Sequence, residues 1–376
     1  MPKLDKITIE NFKSIRSLKD FELKNLNVFI GANGAGKSNF ISFFTLLDKI
    51  MKEELSLYVS KKIGKSNSFL YGGQKESDYI YAHLDFGRNH YEFRLEPTQE
   101  ELFIFADETI YFDTDYGHPK HEYLGGGHSE TKIKEYAKEN RWTIAGWIDM
   151  SLASWRVYHF HDTSDTAKVK NGCNINTNRY FHPDASNLAA YLYLLKARSP
   201  RTYEKIVDTI KLVAPFFQDF ILVPDAQNPE YIRLRWKQKG IDQDFYAHHF
   251  SDGTLRFICL ATLLIKPQII LFGPVGILEY PQTIVIDEPE LGLHPNAITI
   301  LGSLLKSAST KTQLIVATQS AYLLNSLEPE DIIVVDRKDN QSEFKRLNTE
   351  ELKSWLEDYS LSELWEKNVF GGGPRE

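Results

Sequence analysis

The sequence predicts an α/β fold that combines a mixed sheet core with an antiparallel β subdomain and a helical lobe. For the core, the stretch 21–31 ends in an apolar run followed by a glycine-rich loop and a helical pattern, and an apolar run at 283–286 ends in carboxylates. Continuous apolar runs of this kind are typical of buried strands. For the subdomain, apolar and polar residues alternate between Tyr79 and Phe112, which indicates a meander of antiparallel strands.

The first part of the chain mixes strand and helix patterns. Residues 6–12, KITIENF, alternate as a half-buried strand does, and residues 39–51, NFISFFTLLDKIM, carry apolar side chains at helical spacing. The segments YIYAHLDF, HYEFRLEP and ELFIFA continue as strands. A glycine-rich stretch near 113–130 predicts a flexible excursion.

The second part returns to the core. Residues 155–167, WRVYHFHDTSDTA, predict a strand that runs into a polar loop, and two helical patterns fill 187–217. Short strands precede an apolar helix that begins after Ser251. A helix at 297–309 and strands within 312–320 and 331–337 complete the α/β pattern.

The composition disfavours several classes of protein. With 42% hydrophobic and 25% charged residues the chain has an ordinary globular composition, and no apolar run reaches the roughly 20 residues of a membrane span. A net charge of −7 disfavours a surface coated in basic residues for nucleic acid, although a local basic groove stays open. Cys173 and Cys259 match no metal spacing and the N-terminus lacks a signal-peptide core, which favours a reducing cytoplasm.

The most specific motif is the glycine-rich loop Gly31–Ser38, GANGAGKS. It satisfies G-x-x-x-x-G-K-[ST] between a predicted strand and a predicted helix. Glycines let backbone N–H groups curl around phosphate oxygens, and the helix that follows points its positive end at them. Lys37 would neutralise the β- and γ-phosphates of a nucleotide, and Ser38 would place its hydroxyl on Mg²⁺.

A second motif, TIVIDEPELGLHP, supplies the carboxylates that such a site needs. An apolar strand that ends in Asp287 suits a Mg²⁺-organising carboxylate. Glu288 follows directly and would polarise an attacking water. A kinase that acts on a separate hydroxyl has no need of this adjacent glutamate, so the pair favours hydrolysis.

Together these motifs resemble the ATPase heads of the ABC superfamily on the RecF/SMC side, and more narrowly the RecF-like AAA/ABC ATPases of bacteria. The resemblance rests on ITIENFKSI, GANGAGKSNF, YHFHDTS, SDGTLRF, DEPELGLHP, VATQS and LSELWEKNVFGGGP. It covers nearly the whole chain and implies one P-loop NTPase head of the ABC-ATPase type over 1–376. Its expected parts are an α/β nucleotide-binding core at 1–60 and 270–347, a β-rich lobe at 78–160, a helical signature lobe at 185–265 and a helical tail at 348–376.

The resemblance also implies roles for individual residues. The phosphate-loop contacts with ATP would come from Asn33, Gly34, Ala35, Gly36, Lys37, Ser38 and Asn39. Ser251, Asp252 and Gly253 match the signature sequence, which in this family touches the γ-phosphate of ATP held by the partner subunit. Asp287 matches the Mg²⁺-side carboxylate and Glu288 the catalytic base, while 291–294 corresponds to the loop that meets its mate across the dimer.

Two positions depart from the general pattern of the superfamily. Most of its members place a histidine that contacts the γ-phosphate after the strand TQLIVAT, where this chain has Gln319. A glutamine donates a hydrogen bond but carries no proton, so Gln319 predicts slower hydrolysis. The glutamine that links Mg²⁺ to the helical lobe is not fixed by a motif. Gln74 in YGGQKESD is one candidate, and a surface turn is the alternative.

The stretch YHFHDTS contains His159, His161 and Asp162. Alternating side chains on a strand point the same way, which suits a metal. However, the spacing places no third ligand, so a structural or nucleotide-proximal loop is favoured, with Asp162 starting a turn.

We therefore expect an ATP-hydrolysing homodimer that closes around two nucleotides and Mg²⁺ and acts as a conformational switch, in DNA maintenance or phage defence. The alternative is a slow-turnover, nucleotide-gated module that controls an effector protein. A nucleic-acid partner stays open and no membrane is expected. The chain stops soon after VVDRKDNQSEF, so no appended nuclease domain is expected either.

Overall fold

The computed structural model describes residues 3–114, 117, 119–139, 143–265 and 281–373. Parts of three predicted segments lie outside the described residues: the core at 1–2 and 270–280, the β-rich lobe with its excursion at 115, 116, 118 and 140–142, and the tail at 374–376.

The strands, in chain order, are β1 (Lys6–Phe12), β2 (Ile15–Glu22), β3 (Leu26–Ile30), β4 (Ile80–Phe86), β5 (Asn89–Pro97), β6 (Phe103–Phe112), β7 (Lys120–Gly125), β8 (Arg156–Tyr158), β9 (Cys173–Asn174), β10 (Phe217–Ile221), β11 (Tyr231–Ile232), β12 (Arg235–Gln238), β13 (Asp244–Tyr246), β14 (Thr283–Asp287), β15 (Gln313–Thr318), β16 (Ile332–Lys338) and β17 (Gln341–Arg346).

The helices are α1 (Lys37–Met51), α2 (Leu55–Ser60), α3 (Ile133–Glu139), α4 (Ile144–Ala153), α5 (Leu188–Arg198), α6 (Pro200–Val213), α7 (Asp252–Leu264), α8 (Pro295–Ser309), α9 (Ala321–Leu324), α10 (Thr349–Leu356) and α11 (Leu361–Glu366). None of the helices in the described ranges is long and apolar enough to cross a membrane.

The core sheet has the order β17-β16-β3-β15-β14-β8, and all neighbours are parallel except β16 and β17. The carboxyl ends of its central strands lie at one edge, because Ile30 pairs with Thr318 and Asp287 with Ala317. At the same edge Ile286 pairs with Tyr158. In open α/β sheets this edge is where ligands bind, so the topology gathers the predicted motifs into one place.

The second large sheet is antiparallel, with the order β2-β1-β4-β5-β6-β7. It confirms the predicted meander, but its membership crosses the expected ranges. β1 and β2, which fall within 1–60, join this sheet, whereas β8, which falls within 78–160, joins the core. The physical reason for β1 is its burial, which alternates along 6–10, as in a strand with one wet face, whereas every residue of β3 is buried.

Each face of the core sheet packs against a different layer. Phe29, Val285 and Ile315 point to one face and join a cluster with α1 and the antiparallel sheet. Val28 and Ile286, on the other face, join a cluster with the helical lobe. This alternation with period two within apolar strands is what a sheet covered on both sides requires.

The helical lobe contains α5, α6 and α7, together with the small sheet β10-β12-β13. Residues 255–264 of α7 are all buried, so this helix is a central element and not a surface one. The thiol of Cys259 on this helix is buried, and burial raises its pKa to about 12. In the tail Trp365 is buried and packs near Phe370, whereas Trp355 is exposed.

Candidate nucleotide-binding site

The phosphate loop connects the buried strand β3 to α1 and has the backbone that its glycines permit. Gly34 has φ of 80° and Gly36 has φ of 118°, which is the left-handed region that favours glycine. Gly36 is the N-cap residue of the 15-residue helix α1. The positive end of α1 therefore opens directly onto the loop, as an anion site requires.

Lys37 is buried and folds back over the loop. Its Nζ donates to the carbonyl oxygens of Gly31 at 2.5 Å and Ala32 at 3.1 Å. Burial lowers the pKa of Lys37, while the negative charges of Glu288 and Asp287 act in the opposite direction. The ammonium is thus a positive charge bound to the loop and stabilised by the carboxylates of Asp287 and Glu288.

A hydroxyl network that sequence reasoning missed supports the loop. Asn39 Nδ2 donates to Ser14 Oγ at 2.7 Å, and Ser14 Oγ lies 2.7 Å from Ser342 Oγ. Ser342 Oγ in turn donates to the carbonyl oxygen of Ala35 at 2.6 Å. Because Ser14 and Ser342 lie far from the loop in sequence, no local motif could have identified them. The predicted Asn39 therefore lies in a network that holds the loop.

The C-terminal tail also contacts the loop. The N–H of Ala32 donates to the carbonyl oxygen of Gly372 at 2.8 Å. The glycine-rich tail VFGGG therefore has a structural role, because its Gly372 carbonyl oxygen accepts the hydrogen bond of a backbone N–H at the start of the phosphate loop.

Asp287 ends β14 and lies close to the Ser38 hydroxyl of the phosphate loop, which acts to lower the pKa of this carboxyl. Burial and the adjacent Glu288 charge raise the pKa of Asp287. Its Oδ1 is buried and has no hydrogen-bond partner among the described residues. A buried carboxylate oxygen without a donor is unfavourable, and with the Ser38 hydroxyl it offers the oxygen ligands that Mg²⁺ prefers. The pair therefore fits the predicted Mg²⁺ site.

Glu288 and Gln319 are in direct contact. Gln319 Nε2 donates to Glu288 Oε1, and the N–H of Gln319 donates to Glu290 Oε1 at 2.8 Å. Glu288 has φ of 44°, a left-handed conformation that costs a residue other than glycine about 1–3 kcal/mol. Its N–H still bonds to the carbonyl oxygen of Ala317 at 2.8 Å, so the core sheet maintains this turn. Glu290 was not predicted; it holds Gln319 in place.

The histidine segment, residues 159–161, lies beside Asp287. β8 pairs in parallel with β14, so the residues after Tyr158 and those after Ile286 emerge together. One ligand atom from each of His159, His161 and Asp287 lies within 4.8 Å of the other two. The third group that spacing did not place is thus Asp287, which is far away in sequence and adjacent only through the pairing of β8 with β14.

The signature residues lie at the N-terminus of α7. Ser251 is the N-cap residue, and its Oγ accepts from the N–H of Thr254 at 3.2 Å. Ser251 and Asp252 are exposed, and Asp252 lies 3.8 Å from the ammonium of Lys170. Gly253 leaves no space for a side chain, because its Cα faces the carbonyl oxygen of Gly292. The signature therefore packs on the loop 291–294 and leaves its polar end open.

Arg256, within the signature motif, joins three segments of the site and was also missed. Its guanidinium donates to the carbonyl oxygens of Phe160 at 2.8 Å and His161 at 3.2 Å, and to that of Leu291. Burial lowers the pKa of Arg256. The five N–H donors of a guanidinium have a fixed planar arrangement, so one arginine side chain can bond to several carbonyl oxygens at once. The arginine following DGTL in the sequence was its only local signal.

Gln74 lies elsewhere. It is exposed on a turn, and its N–H donates to Asn67 Oδ1 at 2.8 Å. The segment that the structure places beside Asp287, with a link through Arg256 to the helical lobe, is 159–161. The suggested link between Gln74 and Mg²⁺ therefore has no contact in its support and stays a prediction.

The fold and the site define a P-loop NTPase of the SMC/RecF-like ABC type. Residues 26–325 match the family described as "AAA domain, putative AbiEii toxin, Type IV TA system". Because this match covers most of the chain, the protein belongs to that family.

Two solved structures have a similar fold. One is an Smc head bound to the C-terminal winged-helix domain of ScpA, with a TM-score of 0.56, 14% identity, and coverage of 94% of this chain and 100% of that chain. The other is an Smc head with an extended coiled coil bound to the C-terminal domain of ScpA, from Pyrococcus furiosus, with a TM-score of 0.54, 14% identity, and coverage of 95% and 99%. At this identity the likeness concerns the fold.

One relative is the Septu protein PtuA of Bacillus mycoides (strain KBAB4), which is 24% identical to this chain over 341 residues. The match covers 88% of this chain and 40% of the relative. The chain therefore spans less than half of the length of the protein it matches.

Proposed function

We propose that this chain binds ATP with Mg²⁺, hydrolyses it, and uses the cycle to close and open a homodimer. The observation that carries the proposal is Oδ1 of Asp287, which is buried and has no hydrogen-bond partner among the described residues, in a carboxylate close to Ser38 and acted on by the positive charge of Lys37. A cation and a nucleotide phosphate would together supply the charges that this arrangement lacks.

Each residue would then have a distinct role in the reaction. The loop N–H groups and Lys37 bind and orient the phosphates, and Ser38 with Asp287 would hold Mg²⁺, which when bound neutralises phosphate charge. Glu288 accepts a proton from the attacking water. Gln319, already hydrogen-bonded to Glu288, orients that carboxylate and donates to the substrate without carrying a proton.

The homodimer is supported by the exposure of Ser251 at the positive end of α7. A helix N-terminus that is capped but open attracts an anion. In ABC-type heads this end serves the nucleotide of the other subunit. We infer that the same holds here, with two nucleotides between two copies of the chain.

The test is Glu288→Gln, a near-isosteric change that removes the proton acceptor. We expect this variant to bind ATP, to hydrolyse it roughly 10²–10⁴-fold more slowly, and to accumulate as a dimer with Mg-ATP in light scattering after gel filtration. A Glu288→Gln protein that binds ATP and stays monomeric at all concentrations would exclude the sandwich. Unchanged turnover would exclude Glu288 as the base.

A second candidate is a slow, nucleotide-gated module that controls an effector in phage defence. Gln319 in place of a histidine favours this candidate. The similarity to the Septu protein PtuA also favours it, although the match covers only 40% of PtuA. ATP turnover of the purified chain decides between the two, since fast turnover without any partner contradicts gating.

Nucleic-acid binding is a separate question for either candidate. The net charge of −7 gives no general support for it. Titration of duplex DNA at several salt concentrations tests it, because a groove that tracks phosphates loses affinity steeply with salt.

A further inference from the structure

A histidine pair lies next to the Mg²⁺-side carboxylate. His159 and His161 follow β8, the strand that pairs with β14, and Asp287 ends β14. One ligand atom of each of the three residues falls within 4.8 Å of the other two. A cation with bonds of about 2.0–2.2 Å separates its ligands by roughly 3–3.5 Å, so small side-chain rotations would bring all three onto one ion.

We propose that His159, His161 and Asp287 form a site for a divalent first-row transition-metal ion, from Mn²⁺ to Zn²⁺. Imidazole suits the ions from Fe²⁺ to Zn²⁺ and the carboxylate suits Mn²⁺, the weakest binder of the series, whereas Mg²⁺ prefers oxygen ligands alone. The three side chains leave coordination positions for water or a phosphate oxygen, as an open site does.

The comparison with a second cluster supports this assignment. Among the described residues, His83, Asp85 and His90 also offer three ligand atoms within 4.8 Å. There, both ring nitrogens of His90 already face carboxylates, Asp85 at 2.5 Å and Asp113 at 2.9 Å. That cluster is satisfied without an ion. Asp287 differs, because its Oδ1 is buried and meets no hydrogen-bond partner in the part of the chain that the structure describes.

The backbone of the histidine segment is held in place. Arg256 donates to the carbonyl oxygens of Phe160 and His161, and the N–H of His159 donates to the carbonyl oxygen of Pro183 at 3.4 Å. A histidine backbone that is already fixed lowers the entropy lost when an ion binds. Arg256 also belongs to α7, so an ion at this site would be coupled to the signature.

The site shares Asp287 with the proposed Mg²⁺ position. The transition-metal site itself is independent of the proposed function, but its effect on nucleotide binding rests on that function. A tightly bound transition ion would occupy the carboxylate that Mg-ATP needs. The two ions would then compete, and the transition metal would regulate nucleotide binding at this edge of the sheet.

The experiment measures metal binding by the whole chain without nucleotide. Mn²⁺ is titrated and free Mn²⁺ is followed by its electron paramagnetic resonance signal. We expect about one ion per chain at this site and at least roughly tenfold weaker binding after His159→Ala with His161→Ala. Asp287→Asn should weaken binding similarly.

The matched control is His83→Ala, which alters the other histidine–aspartate cluster and should leave Mn²⁺ affinity unchanged. Loss of binding in His83→Ala, or full retention in the double variant, overturns the proposal. Nitrogen hyperfine coupling in wild-type protein with bound Mn²⁺ tests the imidazole ligands independently of any variant, and its absence is equally decisive. Binding of a fluorescent ATP analogue with Mg²⁺, measured in parallel, reports separately on the proposed function.

Discussion

Two glycines of the phosphate loop have different physical reasons to be glycine. Both adopt positive φ, 80° at Gly34 and 118° at Gly36. A Cβ at Gly34 would meet no atom of the described residues within 4 Å, whereas a Cβ at Gly36 would come to 2.8 Å from Ser14 Oγ and nearer still to the Ser342 hydroxyl. Gly34 is therefore needed for conformation alone, and Gly36 for conformation and space.

This difference predicts unequal effects of the same substitution. Gly34→Ala should reduce the free energy of unfolding by about 1 kcal/mol, the cost of a left-handed alanine. Gly36→Ala should reduce it by roughly 3 kcal/mol or more, because strain and the displaced hydroxyls add. Urea unfolding measures both values. Equal losses for the two variants would show that the Ser14–Ser342 network does not restrict the loop.

At the scale of elements, α7 connects the signature to the rest of the site. Its N-terminus packs on the loop 291–294 through Gly253, and one turn later Arg256 reaches Phe160, His161 and Leu291. Arg256 therefore links the histidine segment, the loop 291–294 and the signature into one connected unit.

Replacement of Arg256 by methionine tests this unit. Arg256→Met keeps much of the apolar stem but leaves the buried carbonyl oxygen of Phe160 and the part-buried ones of His161 and Leu291 without their donor, so we expect a loss of roughly 2–4 kcal/mol in unfolding free energy. ATP hydrolysis should fall while binding of a fluorescent ATP analogue is largely kept.

The matched control is Arg235→Met in the same lobe. Arg235 pairs with Asp244 at 3.3 Å and both are partly exposed, so its loss should change stability by at most about 1 kcal/mol. Similar losses in both variants would mean that Arg256 contributes only as an ordinary surface-type pair does.

The elements that could be predicted from sequence are those with strong local patterns. The strand β3, the loop and α1 follow from an apolar run, glycines and helical spacing, and the alternation at 79–112 yields the meander. What could not be predicted is which sheet each strand joins. β1 and β8 each lie in a different sheet from the one expected, because their pairing partners are distant in sequence. The hydrophobic period of a strand does not identify the strand with which it pairs.

The site shows the same limit. Lys37, Ser38, Asp287 and Glu288 come from motifs whose chemistry is local, and the structure brings them together. Ser14, Ser342, Glu290 and Arg256 act through contacts across the chain. Three of them lie within motifs of the sequence, but no motif position indicates which distant segment the side chain contacts. The sequence indicates His159 and His161 as a pair, but their third partner follows only from the pairing of β8 with β14.

For the whole molecule, both faces of the core sheet are covered, and its carboxyl edge carries the site. A ligand at this edge contacts elements from both ends of the chain, so it should stabilise the entire fold. If closure also requires a second copy, stability in the presence of ATP becomes a function of protein concentration as well.

The final prediction separates these two effects by thermal unfolding of Glu288→Gln, which retains its ATP. The midpoint should rise with Mg-ATP, corresponding to about 2.7 kcal/mol at a ligand concentration of 100 times Kd, and should rise further as protein concentration increases. With Ser251→Arg added, the response to ATP should persist, while the dependence on protein concentration disappears, because a bulky cation blocks the open end of α7. Ser251→Ala is the control for the lost N-cap and should cost about 1 kcal/mol while the concentration dependence remains. A midpoint independent of protein concentration in Glu288→Gln itself would mean that ATP acts on the single chain.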